Sequence, residues 1–147
     1  MGGQHFGQNG RPTCTVLIMQ TIDAHKNLGL DAEFDPLNGG SLRYYSGTAP
    51  ATPATALSGN TLLLQYTLGS PAFAAASGGT KAMNAPANAT EAAGGTASFA
   101  RYYKSDGTTC THQLTVGTSG QDINLSSTTI VSAQVYGPPT VTHGQST

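Results

Sequence analysis

The chain has 147 residues, a formal net charge of −1 and only 9% charged side chains. That length is enough for one domain with a sizeable core. The six Lys and Arg are scattered rather than gathered into a patch, which argues against direct nucleic-acid binding. No apolar run approaches the length of a membrane span. Thr, Ser, Ala and Gly are abundant, so the surface relies on neutral polar groups for solubility. Such a surface suits a protein packed against many copies of something else. Cys14 and Cys110 are fewer cysteines than a small secreted scaffold carries; a single bridge between them stays open, and two free buried thiols are the expected reading.

Residues 1–12 read as a flexible arm with Gly2, Gly3, Gly7, Gly10 and Pro12, and with only Phe6 to bury. Their pattern is neither that of a signal peptide nor that of a myristoylation site, so a soluble protein made in a cytoplasm is expected. Residues 13–30 are the one helix candidate. Ile18, Ile22 and His25 share a face at i, i+4, i+7, Thr13 or Thr15 could cap its start, and Gly29 lies where a helix would stop. The β-branched residues Val16, Ile18 and Ile22 leave a strand reading open for its first half.

Residues 31–40, DAEFDPLNGG, read as a loop. Asp31, Glu33 and Asp35 have the one-three-five spacing of a calcium loop. Pro36 stands where the sharp-turn Gly belongs and Leu42 where the bidentate Glu belongs, so a solvated acidic loop is the better reading. Residues 41–45 are a short strand, followed by an extended Pro-rich crossing with Pro50 and Pro53. TLLLQYTL, residues 61–68, is the most apolar strand and is expected at the centre of a sheet. Ser70-Pro71 breaks it. Residues 73–76 suit a further strand, turned by Ser77-Gly78-Gly79, and residues 81–93 a strand followed by a loose loop.

The C-terminal third is the clearest stretch. Phe99, Arg101, Tyr102 and Tyr103 lead into the hairpin signal Ser105-Asp106-Gly107. Cys110, His112, Leu114 and Val116 then alternate with Thr111, Gln113 and Thr115. A second turn, Gly117-Thr118-Ser119-Gly120, precedes Ile123 and Leu125, and a third precedes the run from Ile130 to Tyr136. Period-two alternation bounded by turns predicts an antiparallel meander of about four strands. Pro138-Pro139 stops it, Val141 starts a last short strand, and residues 142–147 form a polar tail. The segments around Arg43-Tyr44-Tyr45 and Arg101-Tyr102-Tyr103 echo each other. One reading is an aromatic and Arg surface for a partner. The other is two equivalent strands whose Tyr residues alternate between core and surface.

Chemistry-bearing constellations are sparse. His5, His25, His112 and His143 fall in no metal spacing. Cys110 and His112, at i and i+2, should share one face of a strand, as a core Cys and a partly buried His. No nucleophile has an orienting acid, no Gly loop cradles a phosphate, and no acid pair is spaced for proton transfer. No enzyme activity, cofactor or metal is expected.

From Ile22 to Val135 the chain resembles a family of small tailed-bacteriophage virion proteins. The order and spacing of several motifs together carry the resemblance: Leu42-Arg43-Tyr44-Tyr45-Ser46-Gly47-Thr48-Ala49-Pro50, Ala56-Leu57-Ser58-Gly59-Asn60-Thr61-Leu62-Leu63, Phe73-Ala74-Ala75-Ala76-Ser77-Gly78-Gly79, Gly95-Thr96-Ala97, Ser105-Asp106-Gly107-Thr108-Thr109 and Val116-Gly117-Thr118-Ser119-Gly120-Gln121-Asp122-Ile123-Asn124-Leu125. The resemblance implies a β-rich structural component of the virion without enzyme activity. The expected fold is all-β: a single β-sandwich over residues 13–141, jelly-roll-like or immunoglobulin-like, with one short N-terminal helix. The expected role is a capsid decoration or cement protein, bound as a homo-oligomer, a trimer in the favoured reading, to the major capsid protein or other virion proteins. The alternatives are a receptor- or glycan-binding module of a tail or fibre, and a neck or tail adaptor. Phe6, Arg11, Arg43, Tyr45, Arg101 and Tyr103 are the candidate partner-binding residues, with neither nucleic acid nor membrane as a partner.

Overall fold

The structure, a computed structural model, describes residues 22–144. One helix, α1 (Asp23–Phe34), runs into a single 3-10 turn, Asp35–Leu37. Ten strands follow: β1 (Ser41–Tyr45), β2 (Leu62–Thr67), β3 (Thr80–Ala82), β4 (Thr90–Glu91), β5 (Gly95–Thr96), β6 (Phe99–Tyr103), β7 (Cys110–Gly117), β8 (Ile123–Asn124), β9 (Thr129–Ile130) and β10 (Thr142–Gly144). A curled six-stranded sheet of order β4-β2-β1-β6-β7-β8 forms the body, with two-stranded ribbons β10-β3 and β5-β9 beside it. The described residues are therefore strand-rich with one short helix, as expected.

The helix lies further along the chain than its local signals predict. Gly29 falls inside α1 rather than at its end, against a propensity cost of about 1 kcal/mol. Burial outweighs that cost: Leu30 and Phe34, one turn apart, are 2% and 3% exposed. Each contributes about 1.5–3 kcal/mol by leaving water. The stop comes instead at Pro36, which has no N–H to donate and clashes with the preceding turn. The expected apolar face is not the one used. Ile22 is 67% exposed, His25 is exposed, and Ile18 lies outside the described residues. The expected acidic loop at 31–40 is helical through Leu37 for the same reason.

The centre of the sheet is β1 against β6, not 61–68. Their register sets Leu42 opposite Tyr102, Arg43 opposite Arg101, Tyr44 opposite Ala100 and Tyr45 opposite Phe99. All five residues of β6 are buried, as befits a strand covered on both faces. β2 sits one place outward, shielded on its far side only by the two residues of β4. The side chains facing α1 form the main core, including Leu42, Tyr44, Leu64, Tyr66, Tyr102 and Leu114.

The β6–β7 hairpin follows its sequence signal. Gly107 takes φ +70°, and the Asp106 carboxylate accepts hydrogen bonds from the amides of Thr108 and Thr109. A second close approach uses Gly40, where a Cβ would lie 2.1 Å from the Tyr103 carbonyl oxygen.

The meander fails after β7. β8 pairs parallel to β7, with Val116 opposite Ile123. The Asp122 carboxylate accepts from both the amide and the hydroxyl of Thr115, each at 2.8 Å, and folds the loop back along β7. An antiparallel partner there would need the amide that Asp122 occupies. The run from Ile130 to Tyr136 keeps only Thr129–Ile130 as strand, paired with β5. Ala133 adopts φ +63° and donates its amide to Glu91, which ends the extended conformation. Val131 and Val135 are left 49% and 77% exposed. The polar tail expected from 142 begins instead as β10, paired with β3.

Candidate functional site

Arg43 and Arg101 face each other on adjacent strands, on the side of the sheet away from α1. Gln65 on β2 and Gln113 on β7 flank them in register, so four polar side chains cross four strands in one row. Arg43 donates through Nε to Gln65 Oε1 at 2.8 Å and through Nη1 to the Gly107 carbonyl at 3.0 Å. Arg101 donates through Nε and Nη2 to Gln113 Oε1, at 3.0 and 2.8 Å. Its Nη2 also reaches the carbonyls of Thr52 and Thr55, at 3.1 and 3.0 Å. Gln113 in turn donates to the Pro50 carbonyl at 2.7 Å.

The Pro-rich crossing is thus a flap laid over the Arg101 and Gln113 end of the row. Its carbonyls have no strand partner, and the side chains beneath supply one. Beside the row, Tyr45, Phe99 and Tyr103 form a second, smaller core with Leu57, Leu62 and Cys110 packed against it. The Arg43 guanidinium lies 4.4 Å from the centre of the Tyr103 ring, a cation–π contact. Tyr45 donates its hydroxyl to that of Tyr103 at 3.4 Å. Burial pushes the Tyr45 phenol well above its ordinary value, with the Tyr103 hydrogen bond adding to it.

Arg101 is 2% exposed, yet neither arginine meets a carboxylate among the described residues. A cavity of about 470 Å³ opens where the flap meets the hairpin, lined by Ala54, Ala56, Leu57, Arg101, Tyr103 and Thr109 among others. Chemically this is an apolar pocket with a cation on its wall.

Four expected partner-binding residues, Arg43, Tyr45, Arg101 and Tyr103, share this face. Phe6 and Arg11 lie outside the described residues. The tyrosines do not form an exposed aromatic surface: Tyr44, Tyr45, Tyr102 and Tyr103 are 1%, 4%, 0% and 6% exposed. Period two sends Tyr44 and Tyr102 into the main core and Tyr45 and Tyr103 into the second. Stacking on a sugar would need other side chains.

Cys110 and His112 do not share a face. A bulge sets Tyr102 opposite His112 but Tyr103 opposite Cys110, so Thr111 is the extra residue and the parity flips. Cys110 joins the second core, and burial pushes its thiol up. Cys14 lies outside the described residues. His112 turns to α1, where its Nε2 pairs with Glu33 at 2.8 Å. The Phe34 ring stacks between His112 and His143, at centroid distances of 4.8 and 4.5 Å. Burial, with His112 nearby, lowers the His143 pKa to about 4, and its Nε2 lies 3.2 Å from the Tyr102 hydroxyl.

The calcium-like spacing resolves into an ion-pair lock. Asp31 and Asp35, one helical turn apart, both grip Lys81 of β3, which is 2% exposed; the Asp35 contact is 2.9 Å. Burial alone would lower the lysine pKa, but the hydrogen bonds to Asp31 and Asp35 outweigh it and hold it raised. The Lys81 hydrogen bond in turn holds the Asp31 carboxyl below its ordinary value. Among the described residues, no group of three His, Cys, Asp or Glu is placed to hold a metal ion.

Sequence reasoning missed Gln65, Gln113 and Lys81. Gln65 interrupts an apolar strand, which was the available signal. Lys81 carries none, because only the fold brings it to Asp31 and Asp35. Comparisons with family models, curated proteins and solved structures return no match for this chain.

Proposed function

We propose that this chain is a structural protein of a tailed-bacteriophage virion, a capsid decoration protein that binds the head as an oligomer. The resemblance of its ordered motifs supports this reading. The structural observation that carries it is a set of large apolar side chains left in solvent. Ile22, Leu28, Val131 and Val135 are 67%, 73%, 49% and 77% exposed. On a surface with few charges, such residues favour cover by another protein. Contact with the major capsid protein, with a second copy of the chain, or with both would supply that cover. The finer fold belongs to the same proposal: the curled sheet is one layer of a jelly-roll-like or immunoglobulin-like sandwich, with the ribbons β3–β10 and β5–β9 contributing to the other.

Copy number tests the proposal. Quantitative mass spectrometry of purified virions should place the chain near a one-to-one ratio with the major capsid protein. A small fraction of that ratio would transfer it to a neck, tail or fibre. Absence from the particle would overturn the virion reading.

A further inference from the structure

We propose that the cavity between the flap and the β6–β7 hairpin is a binding site for a carboxylate carried on a short apolar stem. All seven Asp and Glu of the chain lie within the described residues, and each is engaged away from Arg101. Asp23 pairs with Lys26, Asp31 and Asp35 with Lys81, and Glu33 with His112. Glu91 accepts from the Ala133 amide and Asp122 from Thr115. Asp106, the nearest acid along the chain, turns into its own loop and accepts from Thr108 and Thr109. No Asp or Glu of this sequence remains to neutralise Arg101. A cation this buried is held only by neutral oxygens, which offset its desolvation less well than an anion does.

The rest of the wall narrows the ligand. The recorded hydrogen bonds of Arg101 use Nε and Nη2, and Nη1 makes none among the described residues. The Tyr103 hydroxyl accepts from Tyr45, so its own proton can be donated. Both residues line the cavity, whose remaining wall includes Pro53, Ala54, Ala56 and Leu57. One guanidinium nitrogen and one phenol match the two oxygens of a carboxylate, and a phosphate dianion would want more donors. The apolar wall suits an aliphatic stem. A small free acid and the side chain of a partner's glutamate share this chemistry.

The full chain should be titrated with butyrate and, separately, with a blocked Gly-Glu-Gly peptide, each against chloride at matched ionic strength. Amide shifts of Thr55, Thr108 and Thr109 are followed by NMR. Saturable shifts are expected, and whichever acid saturates at lower concentration identifies the source. Arg101→Lys should weaken binding by about tenfold, as for one lost charge-assisted hydrogen bond. Arg101 also holds the flap, so a second variant is needed. Ala56→Trp, at an exposed wall position, should fill the cavity and abolish the response while the urea midpoint stays unchanged. Shifts no larger than those in chloride, or shifts that persist in Ala56→Trp, would overturn the site. Neither outcome depends on whether the chain is found in virions.

Discussion

The two faces of the central strands are built from alternate residues of the same short sequences, yet they are closed in different ways. Towards α1, Leu42, Tyr44 and Tyr102 meet Leu30, Phe34 and Phe73 in a continuous apolar core. On the far side, Arg101 and Gln113 meet the backbone of a flap that has no regular structure of its own, while Arg43 is held by Gln65 and the Gly107 carbonyl of the hairpin. The first face is held by area removed from water, which is non-directional. The second is held by hydrogen bonds whose geometry fixes where the flap lies. The difference teaches that period-two patterning can produce two interiors instead of an interior and a surface. The second interior is tied to one buried cation.

The largest expected effect tests that dependence. Arg101→Met keeps most of the volume but removes the donor to Gln113 Oε1 and to the Thr55 carbonyl, and leaves the Thr52 carbonyl with the Thr55 amide alone. The expected loss is about 3 kcal/mol in urea unfolding, at about 1–3 kcal/mol per unmet group. Arg43→Met, at a half-exposed position, should cost only about 1 kcal/mol. Equal losses would mean that the flap does not depend on the buried member of the pair.

The next effect separates the faces by pH. His143 belongs to the α1 side, where His112, Glu33 and Asp122 are the ionisable groups that act on it. Its folded pKa of about 4 lies below the ordinary 6.5, so the unfolded chain takes up the proton first. Stability from this group is complete above pH 6.5 and is lost as the pH falls towards 4. The drop from 6.5 to about 4 corresponds to about 3.5 kcal/mol at about 1.4 kcal/mol per pH unit, which solvent screening of this half-buried ring reduces to about 2–3 kcal/mol. His143→Phe preserves the stack on Phe34 and should flatten this slope, whereas Arg101→Met should leave it in place. A slope unchanged in His143→Phe would assign the acid sensitivity to another group.

The smallest effect concerns a flaw in the apolar face. The Tyr44 hydroxyl is buried and has no hydrogen-bond partner among the described residues. Tyr44→Phe should therefore be neutral or raise stability by up to about 1 kcal/mol. A clear loss in calorimetry would reveal a partner for that hydroxyl and make the two faces more alike.

Much of the strand content was legible. Ser41–Tyr45 and Phe99–Tyr103 announce themselves by β-forming residues between turn signals, and Asp106-Gly107 announces the hairpin that joins β6 to β7. The echo of Arg-Tyr-Tyr was legible as two equivalent strands, and Arg43, Tyr45, Arg101 and Tyr103 as one group. The burial of Arg101 was not legible, because the flap residues that cover it, Thr52 and Thr55, lie far earlier in the chain and carry no periodic pattern. The helix bounds misled for a related reason: Gly29 is a valid local stop, and only contact with Phe73 and Tyr102 makes it worthwhile for Phe34 to continue the helix.

By itself the sequence determined the β-rich class, the main hairpin and the neutral surface. These follow from residue type and short-range spacing, which act before any long-range contact forms. The tertiary structure alone decided which strands are central and which way β8 runs. It also decided that Lys81 closes on two aspartates and that Arg101 is enclosed without one. Each of those depends on groups far apart in the chain, and their cost or gain exists only once water has been excluded between them.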